Sequence, residues 1–414
     1  MRLDKDRLVV GIDAGTTKVC TLVGEPCENG NLRIIGVGAC PSRGIRRGVV
    51  VNVEETEKAI LASVEKAERI AGYKIQQACV GLAGPHVSSM NSRGVVAISR
   101  GDHEIIQEDV DRAVEAARAI AIPNNRQVLH VIPRGYIVDG QDGVKDPVGM
   151  LGFRLEVETH IVTGAAASVQ NLVRCVQKGD VEVNDLVLDA LASSEAVLTE
   201  EEKEMGVILA DVGGGTTDIA IFMDGAAWHT TVLPVGGSHI TNDIAVGLRT
   251  ATATAEDIKI RCGYAVAAAV DEAEPVELVG FGRENQRVVS RRALSEIIEL
   301  RSREIFGLIL GEIKRSGYDG LLPAGLVLTG GTAELSGITE LGSEILQLPV
   351  RVGYPRSLEG LSDVVSGPAY AAGVGLLVWS IANRDSPAKP VKKARPQRKK
   401  KPGGLLKLLR SFVP

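Results

Sequence analysis

No Cys-x-x-Cys pair occurs in this chain, and no histidine stands at zinc-ligand spacing from its six cysteines, Cys20, Cys27, Cys40, Cys79, Cys175 and Cys262. That argues against a structural metal and leaves buried thiols in a reducing compartment as the expectation. A secretory leader is not expected either. Residues 1–7 are charged and lead into a short apolar run stopped by Asp13, so a cytoplasmic location is expected. Nor is there a clean apolar span. The nearest candidate, residues 364–382, contains Ser366, Gly367, Pro368, Tyr370, Gly373 and Gly375 and has no basic flank directly before it. Pro368 at a helix start, followed by small residues that permit close packing, reads as a buried helix instead.

What the chain does have is enough apolar content for a core, 44% against 24% charged residues. Its 414 residues exceed what one small core organises, so roughly two to four compact units are expected. Charge is unevenly placed. Residues 384–414 hold eleven Lys/Arg against one acid, leaving −15 on the rest of a chain whose net charge is −5. A basic tail on an acidic body points to an anionic partner. Residues 384–402, rich in Pro, Lys and Arg, read as a disordered basic linker. After Gly403 and Gly404, residues 405–413 form an amphipathic helix on a helical wheel, with Leu405, Leu406, Leu408, Leu409, Phe412 and Val413 on one face. Lys407, Arg410 and Ser411 take the other. So short a helix cannot span a bilayer but can lie in its surface, and the clustered lysines before it favour an anionic leaflet. No aromatic residues are interleaved for base stacking, which speaks against nucleic acid.

Residues 8–12 and 19–23 are β-type runs joined by a turn containing Asp13, Gly15, Thr16, Thr17 and Lys18, a strand–turn–strand pattern. A helix is expected at about 53–71, stopped by Gly72. Between 85 and 163 lies a mixed segment with strands at 94–99 and 127–138 around a helix near 107–120. A second hairpin, 207–211 and 219–223, echoes the first around Asp211, Gly213, Gly214, Gly215, Thr216, Thr217 and Asp218. A third glycine-rich turn, Gly330, Gly331, Thr332 and Ala333, follows a strand at 326–328. Each Asp-x-Gly-x-Thr-Thr turn presents backbone N–H groups and hydroxyls, which form an anion-binding concavity suited to a triphosphate. Asp13 and Asp211, at the strand ends, are placed to hold magnesium through its waters.

Two such hairpins and a late Thr-Gly-Gly loop, in this order, resemble the actin, heat-shock chaperone and sugar kinase ATPase superfamily. By that resemblance the fold is α/β and actin-like, with two related halves around a nucleotide cleft. ATP and Mg are implied as ligands of the three turns and of Gly236, Gly237, Glu256 and Lys259. Within the superfamily the chain is similar to the FtsA family over most of its length. The carriers include residues 35–38 with 41–44, 128–133, 191–194, 206–218 and 327–331. The resemblance implies residues 1–84, 164–204 and 367–383 as subdomain 1A, and 85–163 as an inserted subdomain 1C in place of the usual actin 1B. It further implies 205–242 with 318–366 as 2A, 243–317 as 2B, and 403–414 as a membrane-targeting helix.

The family's role implies a cell division protein on the cytoplasmic face of the membrane at the division site. It would bind ATP, form actin-like filaments and anchor the ring protein FtsZ. The FtsZ C-terminal peptide would dock on 2B, where Arg287, Arg291, Arg292, Arg301 and Arg303 crowd, and later division proteins on 1C. No catalytic residue is assigned: the stretch 190–194, where hydrolysing relatives carry an acid or amide, offers hydroxyls, with Glu195 close by. At most slow hydrolysis is expected, nucleotide acting as a conformational clamp. A small-molecule kinase of the same fold and a pilus assembly platform with the same insert are the alternatives; the kinase has no evident use for the basic linker and amphipathic end, and the pilus relative usually lacks such a tail.

Overall fold

The computed structural model describes residues 7–280 and 286–384. The first half opens with the hairpin β1 (Val9–Ala14) and β2 (Lys18–Pro26), continued by β3 (Leu32–Pro41). A small ribbon of β4 (Ile45–Arg46) and β5 (Val49–Val50) leads into α1 (Val53–Ala71). The Asn52 side chain caps α1 by accepting from Glu55 N, and Gly72 ends it in the left-handed region at φ 64°, the usual pair of helix signals. The helix lies close on β3, since a Cβ at Gly38 would stand 1.9 Å from the Ser63 carbonyl. Then β6 (Gln77–Leu82) returns parallel to β1.

The insert has its own core. It consists of β7 (Val87–Ala97), α2 (Gln107–Arg118), β8 (Arg126–Val138), β9 (Gln141–Val144) and β10 (Arg154–Ala165), with sheet order β7-β10-β8-β9. Val110, Ala113 and Ala117 of α2 pack on Leu155 and Val157, as the helix periodicity requires. The chain re-enters the first half through α3 (Ala166–Gln177), β11 (Glu182–Leu188), α4 (Asp189–Val197) and α5 (Glu200–Met205).

The second half repeats the hairpin as β12 (Val207–Val212) and β13 (Thr217–Met223), extended by β14 (Ala226–Leu233). Next come α6 (Gly237–Gly247), α7 (Thr252–Cys262), the ribbon β15 (Pro275–Val279) and β16 (Gln286–Ser290), and the long α8 (Arg291–Ser316). β17 (Leu326–Thr329), α9 (Ile338–Leu346) and β18 (Val350–Val352) complete a sheet of order β14-β13-β12-β17-β18. β19 (Leu358–Gly360), α10 (Ser362–Val365) and α11 (Ala371–Ala382) end the described chain.

Two boundaries differ from expectation. The division at residue 243 falls inside α6. Residues 358–360, assigned to the second half, pair as β19 with β3 and complete the first sheet, β11-β6-β1-β2-β3-β19, because Glu359 binds Asn29, Asn31 and Arg33 there. The stretch 364–382 ends in α11, whose residues up to Leu377 are buried in the first-half core. No helix among the described residues is long and apolar enough to cross a membrane.

Candidate nucleotide site and partner surfaces

The two hairpin turns face each other across α4 and α11, which pack together at the junction of the halves. A Cβ at Gly375 of α11 would lie 1.7 Å from the Ala192 carbonyl of α4, so glycine is what lets the helices approach this closely. Between the turns lie two compartments. One, about 230 Å³, is lined by residues 13–18, Gly213, Gly214, Thr216, Gly330, Gly331 and the carboxylates Asp189, Asp211 and Asp218. The other, about 290 Å³, is lined by Gly237, Ser238, Ile240, Glu256, Lys259, Thr332 and Leu335 among others. They share Thr17, Gly214 and Gly331, so a ligand with an anionic end and a planar end can occupy both.

Each turn closes on itself through one backbone bond, Gly15 N to Lys18 O and Gly213 N to Thr216 O, both 3.0 Å. Thr16 Oγ1 accepts from Gly48 N, and Lys18 Nζ donates to Ala369 O at 2.9 Å while lying 3.5 Å over the Tyr370 ring. Gly236, which precedes α6, has no room for a side chain beside the Gly213 carbonyl. Thr332 Oγ1 donates to Gly213 O, tying the third turn to the second. In the other compartment Lys259 Nζ donates to Glu256 at 2.8 Å and to Thr241 Oγ1 at 2.9 Å.

Some expected ligands are used otherwise. Thr217 is fully buried, with its hydroxyl donated to Val235 O at 2.9 Å, because it opens β13 facing the core. Ala333 is likewise buried in the second-half core. Gly215 sits against the Thr16 side chain, where it lets the two turns meet.

The larger surprise is acidic. Asp189, one residue before the stretch credited only with hydroxyls, begins α4 and lines the phosphate-sized compartment. Glu195 instead turns away to Lys203 at 3.1 Å. Burial, together with Asp13, Asp218 and Asp211 nearby, pushes the Asp189 carboxyl well above the usual range. Burial raises Asp218 similarly, with Asp211 adding to it, and raises Asp13 against the opposing Lys18 ammonium. Asp211 is pushed up to about 6 by burial, opposed by the Ser193 hydroxyl that donates to it at 2.5 Å. Oδ1 of both Asp189 and Asp218 is buried without a hydrogen-bond partner. Four carboxyls sharing one small space need a cation to ionise together. The site therefore fits a divalent cation held with phosphates. Among the described residues no three acidic, histidine or cysteine side chains converge tightly enough to ligate a metal by themselves.

The five arginines of the expected peptide patch do not form one surface. Arg291 binds Glu274 and Cys262 O, Arg301 forks onto Asp243, and Arg303 bridges Glu299 and Glu344. Arg292 lies 3.7 Å from Glu272. Arg287 alone lines a groove of about 530 Å³ between α7 and the β15–β16 ribbon, with Ile258, Leu278 and the exposed Val279 and Val288. The tail residues Leu405, Leu406, Lys407, Leu408, Leu409, Arg410 and Phe412, and the linker before them, lie outside the described residues.

Paired hairpins, two connecting helices and a cleft between them define an actin-like ATPase fold. Solved structures agree: a PilM-PilN type IV pilus biogenesis complex matches with TM-score 0.65 at 15% identity, over 90% of this chain and 98% of that one. MreB5 of Spiroplasma citri bound to ADP matches with TM-score 0.52 at 15% identity, over 91% and 98%. Sequence comparison is narrower. Residues 208–375 match the family model "Cell division protein FtsA", and residues 84–163 match "SHS2 domain inserted in FTSA". The cell division protein FtsA of Pseudomonas aeruginosa is 48% identical over 91% of this chain and 89% of its own length. That of Neisseria meningitidis is 42% identical over 99% and 98%, and that of Escherichia coli 39% over 90% and 90%. The chain belongs to the FtsA family of cell division proteins.

Proposed function

We propose that this chain binds ATP with magnesium in the cleft, assembles into actin-like filaments, and anchors FtsZ to the cytoplasmic face of the membrane through residues 403–414. The observation that carries the nucleotide reading is the convergence of Asp13, Asp189, Asp211 and Asp218 on the space between two glycine turns. Backbone N–H groups of the turns and Lys18 meet phosphate oxygens, and Asp13 and Asp211 hold the waters of the cation. Glu256 and Lys259 face the ribose and base. Bound across both halves, the nucleotide favours their closed arrangement and acts as a clamp. Hydrolysis is slow and serves turnover of that clamp.

The FtsZ peptide docks at the groove beside α7 and the β15–β16 ribbon, where exposed Val279 and Val288 offer apolar contacts and Arg287 offers positive charge, Arg261 being paired with Asp257. Arg291, Arg301 and Arg303 support that region through their ion pairs rather than by meeting the peptide. The insert serves later division proteins. The test is reconstitution on phosphatidylglycerol vesicles: labelled FtsZ is recruited only when this chain and ATP are both present. Arg287→Glu reduces recruitment by weakening peptide affinity about 1 to 3 kcal/mol. Recruitment equal with and without this chain defeats the anchoring role; undiminished recruitment by Arg287→Glu moves the peptide site elsewhere.

A further inference from the structure

The chain leaves the described body beside an open groove. This groove, about 640 Å³, lies between the insert and the first half, where β8 and α2 face the outermost strand β11. Val114, Val128, Leu129 and Val131 form an apolar floor that is only half-buried; Glu115, paired with Arg118 at 3.2 Å, and the exposed Asp185 stand among its lining residues. Near the end of α11, Trp379 donates from Nε1 to Asp185 Oδ2 at 3.0 Å and meets the His130 ring edge-on at 5.4 Å. His130 in turn accepts from Leu188 N, so α11, β8 and β11 are joined at the groove's mouth. The last described residue, Arg384, lies five positions beyond Trp379.

We propose that residues 403–414 have a second docking place, this groove, which they occupy when the protein is off the membrane. The inference rests on the reading of these residues as an amphipathic helix. Leu405, Leu408, Leu409 and Phe412 supply an apolar face to cover that floor, and Lys407 and Arg410 carry charge opposite to the acid that exceeds Arg118 in the lining, where Glu115 and Asp185 stand against that one arginine. The tether is adequate. Residues 385–404, rich in Pro, Lys and Arg, have a reach of up to about 60 Å at roughly 3.1 Å per residue, starting next to the groove. A tether of this kind holds its end at an effective concentration of about a millimolar, so even a weak intrinsic contact keeps the groove occupied. Groove and lipid then compete for the same leucines. The docked state lowers membrane affinity, and occupation of the groove by any other ligand releases the tail.

The test uses the full chain carrying a photoreactive phenylalanine derivative at position 412, illuminated at sub-micromolar concentration without lipid. The expected result is intramolecular crosslinking to residues 114–131 or 185–186, lost on adding phosphatidylglycerol vesicles. Val128→Glu, and independently Glu115→Lys on the exposed face of α2, should each reduce the crosslink and raise vesicle affinity three- to tenfold. Crosslinks confined to other regions, crosslinks between chains, or no crosslink at all would overturn the proposal, leaving the groove to a second copy or to another protein. Unchanged vesicle affinity in both variants would overturn the competition. A groove crosslink in a protein that never binds vesicles would uphold the docking and reject the membrane reading instead.

Discussion

At Asp211 burial and chemistry oppose each other. Its carboxyl is pushed up to about 6, so at neutral pH it is ionised at a cost that a bound cation removes. Below about pH 6 the proton competes with the cation, and magnesium-dependent nucleotide affinity should fall as pH drops from 7 to 5. Asp211→Asn should weaken magnesium–ATP binding while leaving the fold intact; equal affinity in a titration against the parent removes Asp211 from the cation site. Asp189 carries a separate prediction. Its buried Oδ1 lacks a partner beside the phosphate-sized compartment, the placement of a water-orienting acid. A positioned general base contributes about 10²- to 10⁴-fold. Asp189→Asn should therefore lower slow phosphate release at least tenfold with ATP binding retained, and unchanged release would leave Asp189 a purely structural acid. The glycine and threonine spacing made the turns legible as sequence. Asp189 was not, because one residue of helix register separates it from residues 190–194, and only the start of α4 shows which side chain enters the cleft.

Elements with strong local signals matched the sequence closely. Asn52 and Gly72 bracket α1 at residues 53–71, as expected, and both hairpins formed at their glycine turns. What sequence alone left open depends on distant pairing. β10 lies at the centre of the insert sheet and β19 crosses to the first sheet, and neither has a local turn signal that fixes its partner. The arginine patch dissolved for the same reason, since Asp243 and Glu344 meet α8 only in three dimensions. The α4–α11 crossing is equally non-local and gives a test. Gly375→Ala forces the helices apart against the Ala192 carbonyl, and overpacking of this kind costs about 1 to 3 kcal/mol. Because α4 carries Asp189 and Ser193, ATP affinity should fall along with thermal stability. A variant of parental Tm and affinity would show that the crossing does not position the cleft.

Across the whole molecule the insert is fastened to both halves through histidines. His130 binds Leu188 N, and His160 bonds Asn91 Oδ1 and Thr230 Oγ1. Burial lowers His130 to about 4 and His160 to about 3. Their stabilisation is complete above the unfolded value of 6.5 and is lost as pH falls below it toward those depressed values, because the unfolded chain takes up protons that the folded one refuses. Between pH 7 and 5 this amounts to about 2 to 4 kcal/mol for the pair. The buried aspartates of the cleft, raised by burial, act in the opposite direction, so the histidine contribution is read as a difference: between pH 7 and 5 the parent's Tm should lose more, or gain less, than that of His160→Leu, and an equal pH dependence of the two would contradict it. On the proposed function, cleft, filament and tail act together: a single tail would bind lipid weakly and an assembled row about 10²-fold more tightly. The most direct measurement is co-sedimentation with phosphatidylglycerol vesicles, with and without magnesium–ATP, for the parent and Leu408→Glu. Steep, ATP-enhanced pelleting of the parent and none of the variant are expected, with ATP binding equal in both; equal pelleting of the two, or no response to nucleotide, would contradict the proposed function.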